Sequence, residues 1–172
     1  MAISQTLTLV LGGARSGKSR HAEQLALASG LAPVYVATAQ RLDEEMARRI
    51  AAHRERRGST WRTIEEPLDL VGTLQRECAD ERIVVVDCLT LWLTNLMVAE
   101  RAVEAECTSL LDALPGLCGP LVLVSNEVGQ GIMPDNAMAR RFIDHAGGLH
   151  QGIAEQADAV VLMIAGLSQR LK

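Results

Sequence analysis

Short apolar runs recur along the chain, and each is followed by a longer stretch whose apolar residues return every three or four positions. The runs at residues 6–11, 33–38, 61–64, 83–87, 121–125 and 159–164 are rich in β-branched and aliphatic residues. Most are nearly continuous, as strands covered on both faces should be. The stretches at 19–29, 43–57, 68–78, 89–100, 103–114 and 136–157 read as helices, with Gly30, Gly58 and Gly116 standing where helices should stop. Such alternation predicts an α/β fold, a mostly parallel sheet with helices on both faces. No repeat, low-complexity tract or linker breaks it, so residues 1–172 are expected to form a single domain. In such sheets ligands collect at the carboxyl ends of the strands.

Composition narrows the classes. At 172 residues and 48% hydrophobic content, a chain can bury about 70% of its unfolded surface without disulfides or metals. A net charge of −4 and only four aromatics, Tyr35, Trp61, Trp92 and Phe142, argue against a nucleic-acid partner, which needs a basic face and stacking platforms. No apolar run approaches the ~20 residues of a membrane span. No basic segment precedes the first apolar stretch, so no signal peptide is expected. Cys78, Cys88, Cys107 and Cys118 lack CxxC spacing; they read as reduced, small hydrophobes in a cytoplasmic protein.

The basic residues are unevenly chosen. Fifteen of the 17 are arginine, and Lys18 is the only lysine besides the last residue, Lys172. Lys18 belongs to Gly12-Gly13-Ala14-Arg15-Ser16-Gly17-Lys18-Ser19, a full match to GxxxxGK[ST] between a strand and a helix. Glycines let the backbone curl so that successive N–H groups point at phosphate oxygens. The helix start adds its positive end. Lys18 brings a mobile charge to the β/γ-phosphates, and the Ser19 hydroxyl would ligate Mg²⁺. The run Ile83-Val84-Val85-Val86 ends in Asp87, as a second Mg²⁺-holding strand does in P-loop proteins.

Other signals leave alternatives open. Seven arginines lie between Arg41 and Arg62, and His53 has Arg49 four residues before it and Arg57 four after, all on one helical face. That is either a solvated basic face or an anion site in which neighbouring guanidinium groups keep the imidazole neutral and nucleophilic. Periodicity does not decide between them. Asn126 and Glu127 open a Gly/Pro-shaped loop, either a plain turn or a substrate contact. His21, His145 and His150 have no metal-ligand spacing and read as structural.

A guanine-reading Asn/Thr-Lys-x-Asp cannot exist here, since no internal lysine remains for it. A DNA-dependent motor conflicts with the composition. The residues alone therefore favour a small-molecule kinase or nucleotidyltransferase. A single-function kinase and a nucleotide-gated interaction protein remain as alternatives.

Longer strings go further. GGARSGKSRHAE at 12–23 resembles the opening of the bifunctional adenosylcobinamide kinase/adenosylcobinamide-phosphate guanylyltransferase family of cobalamin biosynthesis. Ala37-Thr38-Ala39-Gln40, then Asp43-Glu44-Glu45-Met46 with Arg49, Ile50 and His53, is similar to its second block. Trp61-Arg62-Thr63 with Glu65-Glu66-Pro67, Asp87-Cys88-Leu89-Thr90, and Asn126-Glu127-Val128-Gly129 with Gly131 and Pro134 resemble the later ones. The resemblance runs through the whole chain in order.

It implies a RecA-like P-loop core, a homotrimer, and two reactions. A nucleoside triphosphate phosphorylates adenosylcobinamide, and GMP is then transferred from GTP to that phosphate through a guanylyl-histidine. It implies His53 as the nucleophile. It implies GTP held by the P-loop, Ala37, Thr38, Arg54, Glu55, Arg56, Arg57, Glu65 and Asp87. Where the family pattern has Asn before Gln in the last long helix, this chain has His150-Gln151, surrounded by Gly147, Gly148 and Gly152.

Overall fold

Apolar runs too continuous to leave a wet face become the inner strands of one sheet. The computed structural model of the protein describes residues 6–40, 44, 48, 51, 55 and 57–172. Among these, the chain forms β1 (Leu7–Gly12), α1 (Lys18–Ala28), β2 (Ala32–Ala37), β3 (Arg62–Glu65), α2 (Leu70–Glu77) and β4 (Arg82–Asp87). It continues with α3 (Leu89–Val98), α4 (Val103–Ala113), a 3₁₀ turn (Leu114–Gly116), β5 (Leu121–Asn126), α5 (Ala137–Gln156), β6 (Ala159–Ile164) and β7 (Leu167–Arg170). Glu44, Arg48, Ala51, Glu55 and Arg57 are helical, as expected of 43–57, and the other residues of that stretch lie outside the described set.

The sheet runs β3-β2-β4-β5-β1-β6-β7. All neighbours are parallel except β6 and β7. β5 therefore lies between the phosphate-loop strand and the strand ending in Asp87, a separation of about 10 Å at two strand spacings. Period-two alternation sorts the strand residues between two layers. Leu9, Leu11, Val84, Val86 and Leu123 face a core built with α2, α3, α4 and α5. Val10, Val85, Val122 and Val124 face a smaller one with Ala22 and Ala26 of α1, closed by Trp61. The larger layer is anchored by Trp92, fully buried, whose Nε1 donates to the Leu68 carbonyl at 2.9 Å.

Gly116 ends the helical stretch as the last residue of the 3₁₀ turn that follows α4, and Pro115 lacks the amide that would continue the α-helix. β7 was not anticipated. It follows β6 through Ala165 and Gly166, both at positive φ (52° and 80°), the backbone of a two-residue hairpin turn. Gly152 of α5 is explained by packing, since a Cβ there would stand 2.6 Å from Leu111 Cδ1 of α4. Around Gly147 and Gly148 nothing lies within 4 Å of such a Cβ. Among the described residues no helix is long and apolar enough to cross a membrane.

Candidate functional site

Parallel register brings the strand ends to one edge. Gly12 of β1 stands level with Asn126 of β5, and Ala37 of β2 with both Glu65 of β3 and Asp87 of β4. The Glu127 amide donates to the Gly12 carbonyl at 3.0 Å, and the Thr38 amide to the Asp87 carbonyl at 3.3 Å. The edge thus gathers Gly12 through Ser19, Ala37, Thr38, Glu65, Asp87, Asn126 and Glu127.

The loop after β1 is closed by the Ser16 amide donating to the Gly13 carbonyl (3.3 Å) and by the Gly166 amide donating to the Ser16 carbonyl (2.9 Å). Gly17 has φ 97° and precedes α1, which has no side-chain cap. That φ belongs to glycine, and the uncapped N–H groups of the first turn form an anion cradle. The Ser16 hydroxyl is buried without a hydrogen-bond partner. Lys18 is also buried; its Nζ donates to the Gly13 carbonyl at 2.6 Å. Burial pulls the Lys18 ammonium below its ordinary range, opposed by the negative charge of Asp87 and by Cys88. A buried cation with one short neutral acceptor is ready for a polyphosphate.

Asp87 carries a single described donor, the Tyr35 hydroxyl at 2.8 Å from Oδ2. Its carboxylate and the Ser19 hydroxyl are hard oxygen donors. No cluster of three or more His, Cys, Asp or Glu suited to a metal occurs among the described residues. A carboxylate and a hydroxyl beside a phosphate loop match the way Mg²⁺ is held, by one or two protein oxygens completed by phosphates and water.

Some expected residues are already engaged. Thr38 is fully buried; its hydroxyl donates to the Cys88 carbonyl (2.7 Å) and accepts from the Cys88 amide (2.8 Å). Asn126 Nδ2 donates to Thr90 Oγ1 at 2.7 Å, and one Glu127 carboxylate oxygen accepts from the Gly129 amide at 2.6 Å, so both shape their turn. Arg57 is buried with its guanidinium 3.6 Å from the Tyr35 ring centre. Glu55 is exposed and lines an open cavity of about 510 Å³ with Ala51, Gly58, Ser59, Trp61 and Thr63. His53, Arg54 and Arg56 lie outside the described residues.

The sequence reading missed a polar network beneath the edge. Asn95 Nδ2 donates to the carbonyls of Thr38 (2.7 Å) and Pro67 (3.1 Å), and Cys88 Sγ lies 3.2 Å from Thr90 Oγ1. Burial raises the Cys88 thiol to about 11, so it stays protonated at neutral pH. His150 Nε2 lies 2.7 Å from Ser125 Oγ, directly before Asn126. These partners come from α3, β5, α5 and the loops after β2, β3 and β4, and only register and packing bring them together.

Known proteins place the chain. The model of the CobU family, cobinamide kinase / cobinamide phosphate guanyltransferase, matches residues 8–171. The bifunctional adenosylcobalamin biosynthesis protein CobP of Pseudomonas aeruginosa is 54% identical over 95% of this chain and 96% of its own length. CobU of Escherichia coli is 39% identical over 96% and 99%. In fold, the chain resembles the flagellar accessory protein FlaH of Methanocaldococcus jannaschii, with a TM-score of 0.54, 13% identity and coverage of 97% of this chain and 78% of that one. The sheet is a RecA-like P-loop core. With its phosphate loop intact and its family matched over nearly its full length, the chain belongs to the cobinamide kinase / cobinamide phosphate guanyltransferase family and is a bifunctional enzyme of cobalamin biosynthesis.

Proposed function

We propose that both reactions draw on the same carboxyl edge, the second through a covalent guanylyl-histidine on His53. The carrying observation is the convergence of buried Lys18, the uncapped start of α1 and Asp87 at that edge. In the kinase step, the aminopropanol hydroxyl of adenosylcobinamide attacks the γ-phosphorus of a nucleoside triphosphate, and the bond to the β-phosphate oxygen breaks. Lys18 and the loop amides of residues 13–19 take up charge on the leaving diphosphate. Mg²⁺ held by Ser19 and Asp87 would supply charge neutralisation between the phosphates.

In the second step, the neutral imidazole of His53 attacks the α-phosphorus of GTP and pyrophosphate leaves. A phosphate oxygen of adenosylcobinamide phosphate then attacks that phosphorus, the P–N bond breaks, and the imidazole is restored. The assignment of His53 rests on the resemblance of its sequence block and on the arginines near it in sequence, Arg49, Arg54 and Arg56; Arg57 is engaged with Tyr35 instead. Guanidinium groups pair with phosphate oxygens and disfavour protonation of the ring. Ala37, Thr38, Glu55 and Glu65 are proposed to flank the nucleotide, and Asn126 and Glu127 the cobinamide side. The family resemblance supports a trimer and one domain over 1–172.

Lys18→Ala tests the shared edge. It should lower transfer of both γ-labelled phosphate and α-labelled GMP by about 10-fold or more, the loss of a charge-assisted contact at developing negative charge. Loss of one transfer with the other at full rate would show that the reactions use separate phosphate sites.

A further inference from the structure

Tyr35 lies on β2 two residues before the carboxyl edge, level with Val85 of β4 and Thr63 of β3. It is 4% exposed and meets Trp61 edge to face, ring centres 5.9 Å apart at 80°. A tyrosine so enclosed needs a partner for its hydroxyl, and the partner is Oδ2 of Asp87 at 2.8 Å. No described residue donates to the other carboxylate oxygen, Oδ1.

The ring also carries a cation. Arg57 Cζ sits 3.6 Å from the ring centre, and Nη1 lies 3.7 Å from Oε1 of buried Glu23 on α1. Nε and Nη1 of Arg57 make no hydrogen bond. Ring stacking and the Glu23 charge therefore hold this guanidinium, and it in turn fixes the ring plane. The hydroxyl faces a carboxylate oxygen, which can only accept, so it serves as the donor.

We propose that Tyr35 is a positioning residue for the kinase reaction: its hydroxyl pins Oδ2 of Asp87, leaving Oδ1 as the oxygen that serves the nucleotide's Mg²⁺. Arg57, at the end of the segment that carries His53, clamps the ring. One chain of contacts, Glu23–Arg57–Tyr35–Asp87, thus ties that segment to the metal carboxylate. The inference rests on the reading of Asp87 as a Mg²⁺ ligand. A free carboxylate must be ordered when the cation arrives, whereas one already held by a donor in a fixed ring loses less freedom.

The test is equilibrium binding of a fluorescent, non-hydrolysable ATP analogue, measured with Mg²⁺ and with EDTA. The readout is the ratio of the two affinities, and a circular-dichroism melt confirms the fold of each variant. Tyr35→Phe keeps the ring and its stacking and removes only the hydroxyl. It should reduce the Mg²⁺-dependent gain on the order of 5- to 10-fold, with the EDTA affinity unchanged within about twofold. Asp87→Asn should abolish the gain, and adding Tyr35→Phe to it should cost nothing more.

If Asp87→Asn loses the gain and Tyr35→Phe keeps it, the inference is wrong and the metal reading stands. If Asp87→Asn keeps the gain, the metal reading fails and carries the inference with it. Equal losses for Tyr35→Phe with and without Mg²⁺ would mark a structural role only and also overturn it. Tyr35 is the only tyrosine, so fluorotyrosine-labelled protein reports it without mutation. Its fluorine resonance should shift when Mg²⁺ is added to the nucleotide complex, and an unmoved resonance contradicts the proposal.

Discussion

At the scale of single residues, the polar groups with the most consequence are those whose partners the chain hides. Lys18 and Asp87 were legible because each ends a recognisable run: glycines before one, four apolar residues before the other. The partners of Tyr35, Thr90 and Asn95 were not, since Tyr35 and Asn95 bond to neighbours more than 50 residues away and Thr90 meets Asn126 only through register. Arg57 shows the opposite error of emphasis. Read by spacing it belongs with the basic face, yet it is buried against Tyr35.

His150 also carries a pH prediction. Burial lowers its pKa from the ordinary 6.5, partly offset by the Glu127 charge. The unfolded chain therefore binds this proton more readily than the fold does. The contribution of His150 to stability is full above about pH 6.5 and is lost as pH falls toward the folded value. Chemical denaturation between pH 7.5 and 5.5 should show a smaller acid loss in His150→Gln than in the parent. An identical slope would assign the acid sensitivity elsewhere, half-buried His21 being the other described imidazole with a lowered pKa.

At the scale of elements, continuous apolar runs located six strands within a residue or two of their ends. β7 escaped because all four of its residues are exposed, so no face of it had to be apolar. α5 is the element whose composition sits least easily with its conformation. Its interior glycines each cost about 0.5–1 kcal/mol against alanine. Gly152 is required by the close approach of Leu111, whereas Gly148 is exposed with open space where a Cβ would go. Gly148→Ala should raise stability by about 0.5–1 kcal/mol in urea denaturation. A loss of stability or of assembly instead would show that another surface packs against this turn of α5.

At the scale of the molecule, the fold's contribution is to bring several chemistries to one rim. A parallel sheet sends every carboxyl end the same way, so a phosphate loop, a carboxylate and a shaped Asn-Glu turn arrive together without any of them being adjacent in sequence. The family resemblance was readable from strings spread along the chain, and the match over residues 8–171 agrees with it. The proposed role of His53 comes through that resemblance, because an arginine-rich helical face has the same periodicity whether it meets solvent or phosphate. The covalent intermediate is the central claim, and it is tested most directly by incubating the protein with α-labelled GTP and Mg²⁺. The account predicts a protein-bound label that survives alkali, is lost in acid, and is absent from His53→Ala while γ-phosphate transfer persists. A His53→Ala protein that acquires the label normally would contradict it.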